Sequence, residues 1–213
     1  MFYVCCFYFL LFMLYSFLGW CIEMIERGIH YRRITNRGFL IGPYCPIYGY
    51  SSIIMIVLLT PFVNKNPIFT FLISSIICAL MEYGTSYAME KLFQARWWDY
   101  SNRKFNINGR ICLGNLIAFG ILSMILLNYL NPFVEQLLLK INHNVIITTT
   151  LILFIVYLLD TIISFNIIYK IKSVKRSIKK DSTEEIKKIV RTIIFPKKLV
   201  KRLINAFPTL KFK

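Results

Sequence analysis

Acidic residues are scarce in this chain: 10 Asp and Glu stand against 26 Lys and Arg among 213 residues. With 57% of the residues hydrophobic, including 18 Phe and 13 Tyr, too few polar groups remain to clothe a soluble globular domain. Other absences narrow the chemistry. The six cysteines, at positions 5, 6, 21, 45, 78 and 112, show no C-x-x-C or Cys/His spacing, so no metal is expected. They read as small apolar packing residues, and a disulfide between the adjacent Cys5 and Cys6 would be strained. No G-x-x-x-x-G-K-[ST] sequence occurs, so the chain cannot bind ATP as a P-loop motor does. No D-D-x-x-D or other metal-phosphate signature occurs either, and no cofactor is expected. Despite a net charge of +16, nothing resembles a nucleic-acid fold, so nucleic acid is not expected as a partner.

What is present is a set of long apolar runs. A hydrocarbon core of about 30 Å needs about 20 mostly apolar residues in a helix. Five stretches meet that need: about 2–25, 45–63, 68–90, 111–130 and 145–169. Backbone amides in lipid must find internal partners, and the alternation of a transmembrane barrel is missing, so these spans are expected to be helices. The fold class is therefore all-α, a polytopic membrane helical bundle of about five transmembrane helices. It occupies residues 1–170, with residues 171–213 as a basic tail. Residues 1–25 have no positive n-region and no small-residue cleavage site, and are expected to be retained as a helix rather than removed as a signal peptide.

Charge sets the orientation, because cytoplasmic loops collect Lys and Arg. Loop one carries Arg27, Arg32, Arg33 and Arg37, and loop three Lys91, Arg96, Arg103, Lys104 and Arg110. Loops two and four hold only Lys65 and Lys140, and the other 15 cations lie from Lys170 onward. This alternation places the N-terminus outside and the C-terminus inside the plasma membrane, with His30 and His143 on opposite sides. In the tail, Ser182 to Glu185 reads as a capping box ahead of Ile186, Ile189, Val190, Ile193 and Ile194 at helical spacing. Such a basic amphipathic helix would lie on acidic inner-leaflet lipid; a solvated tail that only sets topology is the other reading. Pro196 should break the helix, and Leu199, Val200, Leu203, Ile204 and Phe207 suggest a second short piece.

The acids inside the spans carry more information, since a charge at bilayer depth costs several kcal/mol unless it meets a cavity or a partner. Glu82 lies eight residues before Glu90, about 12 Å inside the helix end. Glu82, Ser86 and Glu90 share one helix face. Glu23 and Glu26 repeat the arrangement in span one, and Asp160 sits near the middle of span five beside Thr161 and Ser164. Together they predict a polar vestibule in the cytoplasmic half, with Arg37, Arg96 and Arg110 as counter-charges. For Glu26 and Glu90, at the interface, ion pairs that lock helix ends to loops are the competing reading; packing alone rarely needs acids as deep as Glu82 and Asp160.

Two dense segments flank this vestibule. In Asn36–Gly49, two glycines and two prolines force irregular backbone where span two should begin. That segment is either a re-entrant piece lining a cavity, with Tyr44 and Tyr48 on one side of it, or a tight turn with interfacial tyrosines. In Arg96–Leu113, Trp97 and Trp98 read as interfacial anchors, on a short helix in the simplest case. Asp99, Asn102, Asn106 and Asn108 have no place in that picture. Glu23, Arg37, Tyr48, Glu82, Glu90, Arg96, Asp99, Tyr100 and Arg110 make up the expected vestibule.

YSFLGWCIE at 15–23, NRGFLIGPYCPIYG at 36–49, MEYGTSYAMEKLFQARWWDYS at 81–101 and FNINGRICL at 105–113 occur in that order over roughly residues 13–120. In these motifs the chain resembles the bacterial membrane proteins called putative ABC-transporter type IV, permease-like. The resemblance implies a multi-pass membrane protein with a role in transport. It also places Glu23, Arg37, Pro43, Pro46, Tyr48, Glu82, Glu90, Arg96, Trp97, Trp98, Asp99, Tyr100 and Arg110 in the family's pattern. ATP would have to come through a separate ATPase subunit docked on the cytoplasmic loops, and the want of an internal repeat suggests a homo-oligomer. Three readings stand: a permease-like subunit, a membrane scaffold or regulatory protein recruiting partners or acidic lipid, and an intramembrane enzyme acting on a lipid or isoprenoid. The enzyme needs Glu82 or Glu23 to converge with Arg96 or Arg110 on one pocket.

Overall fold

The computed structural model describes residues 1–32, 36, 38–177, 198–200, 202 and 211–212. Among these, six α-helices form the body: α1 (Phe2–Tyr31), α2 (Pro46–Leu59), α3 (Pro67–Phe93), α4 (Leu113–Ile125), α5 (Asn131–Leu139) and α6 (His143–Ser177). Phe2–Glu26, Pro67–Phe93, Leu113–Leu139 and His143–Lys170 are each long and apolar enough to cross a bilayer. The protein is thus an all-α, multi-pass membrane bundle.

The remaining expected span is different. It is the shorter apolar helix Pro46–Phe62, made of α2 and a 3-10 turn, Thr60–Phe62. The 14 residues of α2 rise about 21 Å, short of a hydrocarbon core of about 30 Å. Proline sets the shortfall. Residues before proline avoid the α region, Cys45 is extended, and Pro46 takes the first turn, so α2 cannot start earlier.

The fourth span runs on to Leu139, past the end expected at residue 130. Pro132 does not stop it, because it sits in the first turn of α5, directly after a π-helical stretch, Leu126–Leu130. The widened turn absorbs the missing N–H and the crowding that proline imposes on the carbonyl four residues back.

Small residues let the helices pack closely, because a side chain of one helix can rest on the bare backbone of a glycine in the next. A Cβ on Gly19 of α1 would lie 2.3 Å from the Tyr48 ring of α2, and one on Gly49 2.2 Å from Ser16 Oγ. Between α3 and α4, a Cβ on Gly120 would lie 2.2 Å from Ser75 Oγ. At the Gly120 contact the buried serine turns its hydroxyl back on its own helix, Ser75 Oγ donating to the Phe71 carbonyl (2.8 Å). Leu11, Tyr15, Met55, Ile56, Leu126 and Val134 pack the core. Two polar ties cross it: Tyr15 Oη donates to Asn131 Oδ1 (2.8 Å), and Thr150 Oγ1 donates to the Cys6 carbonyl (3.2 Å).

The segment from Arg96 to Leu113 contains no helix before α4. Its first residues form a strand, β1 (Ala95–Arg96), and β2 (Asn106–Ile107) folds back on β3 (Ile111–Cys112) as a hairpin. Asn108 and Gly109 both take positive φ, 53° and 66°, at the turn. An Asn-Gly pair suits that turn because both residues tolerate left-handed backbone. The strand β4 (Lys211–Phe212) from the tail pairs antiparallel with β1. Val200 is fully buried, and Arg202 Nη1 donates to the Leu40 carbonyl (2.8 Å). The amphipathic helix expected from Ser182 lies outside the described residues.

Candidate functional site

A cavity of about 820 Å³ lies between α1, α2, α3, α4 and α6. Toward the end of the bundle that carries the basic loops it is lined by Glu23, Tyr48, Glu82 and Tyr100; farther in, by Tyr15, Met55 and Leu126. Helical period brings these groups together. Glu82 and Ser86, one turn apart on α3, are both buried, at 7% and 3% exposure. Asn115 of α4 reaches Glu82 Oε1 with its side-chain amide at 3.5 Å, and Tyr100 from the loop also bonds to Glu82. Opposite them, Tyr48 Oη donates to Glu23 Oε1 (2.8 Å). Glu23 lies within electrostatic reach of Glu82. The outcome is two carboxylates, each met by a tyrosine, at one end of a largely apolar space.

The other expected vestibule residues form a second cluster that does not line this cavity. Glu90 Oε2 accepts from Arg96 Nε (3.2 Å) and Arg110 Nη2 (2.8 Å), and Arg96 Nη1 lies 3.6 Å from Asp99 Oδ1. The Arg110 guanidinium also sits over the rings of Tyr83 and Tyr87, at 5.3 and 5.4 Å. The separation has a backbone cause. Glu90 is two turns beyond Glu82, at the end of α3, where Gln94 turns left-handed (φ 52°) and swings Arg96 back beside it. Arg37 lies outside the described residues.

The loop's polar residues build its turns. Asp99 Oδ1 accepts the Ser101 N–H (3.0 Å), Asn106 Oδ1 accepts the Gly109 N–H (3.0 Å), and Asn108 Nδ2 donates to Tyr83 Oη (3.0 Å). Trp98 Nε1 donates to the Arg110 carbonyl (3.1 Å). Trp97, expected as an interfacial anchor, is instead buried at 3% exposure, packed edge-on against Phe39 and Phe93. Alternation along the extended chain at β1 turns it inward while its neighbour reaches the hairpin.

Asp160 has a different task. It accepts the backbone N–H groups of Ile41 (2.9 Å) and Gly42 (2.7 Å), the Ser164 hydroxyl (2.9 Å) and the Tyr44 hydroxyl. It thereby ties the irregular chain ahead of α2 to α6. Residue depth marked Asp160 in the sequence, but its partners, two of them backbone amides, left no compositional trace. The partly buried guanidinium of Arg202, which lies near Asp160, has its pKa lowered by desolvation, with the carboxylate's charge opposing the shift.

No curated protein and no solved structure matches the chain. The family model described as "Putative ABC-transporter type IV" matches residues 10–165. That range extends past the four sequence motifs to take in Asp160 and most of α6. The chain belongs to the putative ABC-transporter type IV family.

Proposed function

We propose that this protein is a permease-like subunit of a transport system, and that the carboxylate-headed cavity is its solute site. The observation that carries the reading is the cavity itself: about 820 Å³ inside a membrane bundle, with Glu23 and Glu82 at one end. Acids at such depth are retained where they meet a cavity or a partner. In this reading the basic loops face the cytoplasm, and α2 with the chain clamped by Asp160 completes the fifth crossing, leaving N- and C-termini on opposite sides of the plasma membrane. An ATPase subunit would dock on the face built from the Glu90–Arg96–Arg110 cluster and the hairpin, whose paired charges make it stiff. The enzyme reading loses its support, because Arg96 and Arg110 do not converge with Glu82 and Glu23 on the cavity.

The test compares the small-molecule content of cells producing the wild-type protein and the Glu82→Gln variant, followed by flux of any differing solute in reconstituted vesicles with the ATPase that copurifies. Loss of flux in Glu82→Gln, with the fold retained, is the expected result. Full flux in the variant refutes the assignment of the site.

A further inference from the structure

We infer that the cavity holds a long hydrocarbon chain, the tail of a bilayer lipid, with the lipid head at the Tyr48 end. The inference rests on reading the cavity as the solute site, and it makes the solute a lipid rather than a water-soluble compound. Length comes first. The rings of Tyr48 and Phe119 meet at 6.1 Å and mark the polar end of the cavity on α2 and α4. From Phe119 to Leu130, which also lines the space, is eleven residues, about 16 Å. One leaflet contributes half of a hydrocarbon core of about 30 Å, about 15 Å. The cavity therefore has the depth of one lipid tail, and it starts from the loop-bearing end, where a head would sit.

The walls along that depth favour hydrocarbon. Leu18, Met55, Leu122 and Leu126 are among them. Tyr15, Ser51 and Ser123 share the lining, but each gives its hydroxyl proton to the protein: Tyr15 to Asn131 Oδ1 (2.8 Å), Ser51 to the Ile47 carbonyl (2.7 Å) and Ser123 to the Phe119 carbonyl (2.6 Å). A sugar or an amino acid would give up its hydration there for few directed bonds. Water gains little in such a space, since apolar cavities stay dry. A methylene chain has no hydrogen bonds to lose.

The side of the cavity is open at the same depth. Leu122 and Ile125, about one turn apart on α4, line it and yet are 38% and 49% exposed. The hydrocarbon outside is thus continuous with the space within, and a tail can enter without crossing water. A helix of a partner subunit is too large to be the occupant. At about 10 Å wide with its side chains, it would fill about 1,200 Å³ over about 16 Å, whereas the cavity offers about 820 Å³.

Photolabelling of the full-length protein in phosphatidylcholine nanodiscs provides the test. The probes carry a diazirine at the end of a palmitoyl tail, on monoacylglycerol or on phosphatidylcholine, and peptide mass spectrometry reads the labelled sites. Label is expected at Met55 and Leu126, which line the cavity and are only 3% and 8% exposed, as well as at Leu80 on the outer surface, 68% exposed. Cavity label from the monoacylglycerol alone identifies a single-chain amphiphile, and cavity label from phosphatidylcholine identifies a resident phospholipid; either supports the inference. Ser52→Phe, on the lining about one turn before Met55, should lower the Met55 label at least about tenfold relative to Leu80, as bulk forced into a filled space does. Val57→Phe, 56% exposed and away from the lining, should leave it unchanged. Should Ser52→Phe fail to fold, the wild type decides: moving the diazirine to the head end of the tail should shift the label from Met55 to Tyr48. No label at Met55 or Leu126 from either probe, label indifferent to Ser52→Phe in a folded protein, or label that stays at Met55 wherever the diazirine sits overturns the inference. A labelled cavity in a protein that moves no solute would refute the permease reading and leave the ligand class standing. Flux of a water-soluble solute through a protein whose cavity stays unlabelled would do the reverse.

Discussion

Replacing Asp160 with Asn tests whether this deep acid holds the chain in place. The residue is 9% exposed, and its carboxylate accepts two bonds on each oxygen: Ile41 N–H and the Ser164 hydroxyl on Oδ1, Gly42 N–H and the Tyr44 hydroxyl on Oδ2. An Asn side chain keeps one acceptor and turns its NH₂ toward a backbone donor, whichever way it flips. A hydrogen bond to a charged group contributes about 1.5–3 kcal/mol, and a stranded buried donor costs about 1–3 kcal/mol. Because these terms overlap rather than add, docking of residues 38–45 should weaken by about 3 kcal/mol. At about 1.4 kcal/mol per factor of ten, that is roughly a hundredfold loss of protection against amide exchange. Hydrogen–deuterium exchange in nanodiscs, with peptides covering 38–45 compared against α3 as internal reference, reads this directly. Unchanged exchange at 38–45 in a folded Asp160→Asn protein would refute the clamp.

Other substitutions probe the packing and the loop. Gly49→Ala should cost about 1–3 kcal/mol from overpacking against Ser16 and Phe12, whereas Gly84→Ala, with no atom within 4 Å, should be neutral or gain up to about 1 kcal/mol in helix propensity; thermal melts of the pair should separate in opposite directions. Glu90→Ala leaves Arg96 and Arg110 without their shared acceptor and should cost about 3 kcal/mol, and combining it with Arg110→Ala should cost clearly less than the two single losses together, as a double-mutant cycle would show. Deleting residues 211–213 removes the strand paired with Ala95 and Arg96, so exchange should rise at β1 and stay constant in α3.

The bundle was legible because lipid imposes length and apolarity on every span, and those are properties of composition. Glu82 and Glu23 were legible for the same reason, as charges where lipid tolerates few. What composition could not convey was direction. Trp97 and Trp98 are one residue apart and chemically alike, yet one is core and the other braces a hairpin, a difference set by the pleat of the chain. Glu90, Arg96 and Arg110 carried the right charges for a vestibule, and the left-handed turn at Gln94 brings them to one another instead of to the cavity. The hairpin itself had left a readable mark in Asn108-Gly109, a pairing that predicts a tight turn between strands. The extended reach of the fourth span was hidden by Pro132, whose meaning depends on whether it opens a turn or interrupts one.

The glycine contacts at Gly19, Gly49 and Gly120 bear on how the molecule can move. A helix with its neighbour's side chain seated on its backbone cannot slide past that neighbour without first separating from it, so α1 with α2, and α3 with α4, behave as two stiff paired beams. The cavity lies between the beams. Any change in its volume is then a rocking of one pair against the other, with the strain gathered in the short connector between Phe62 and Pro67, and a cross-link placed between the pairs, unlike one placed within either, would arrest it.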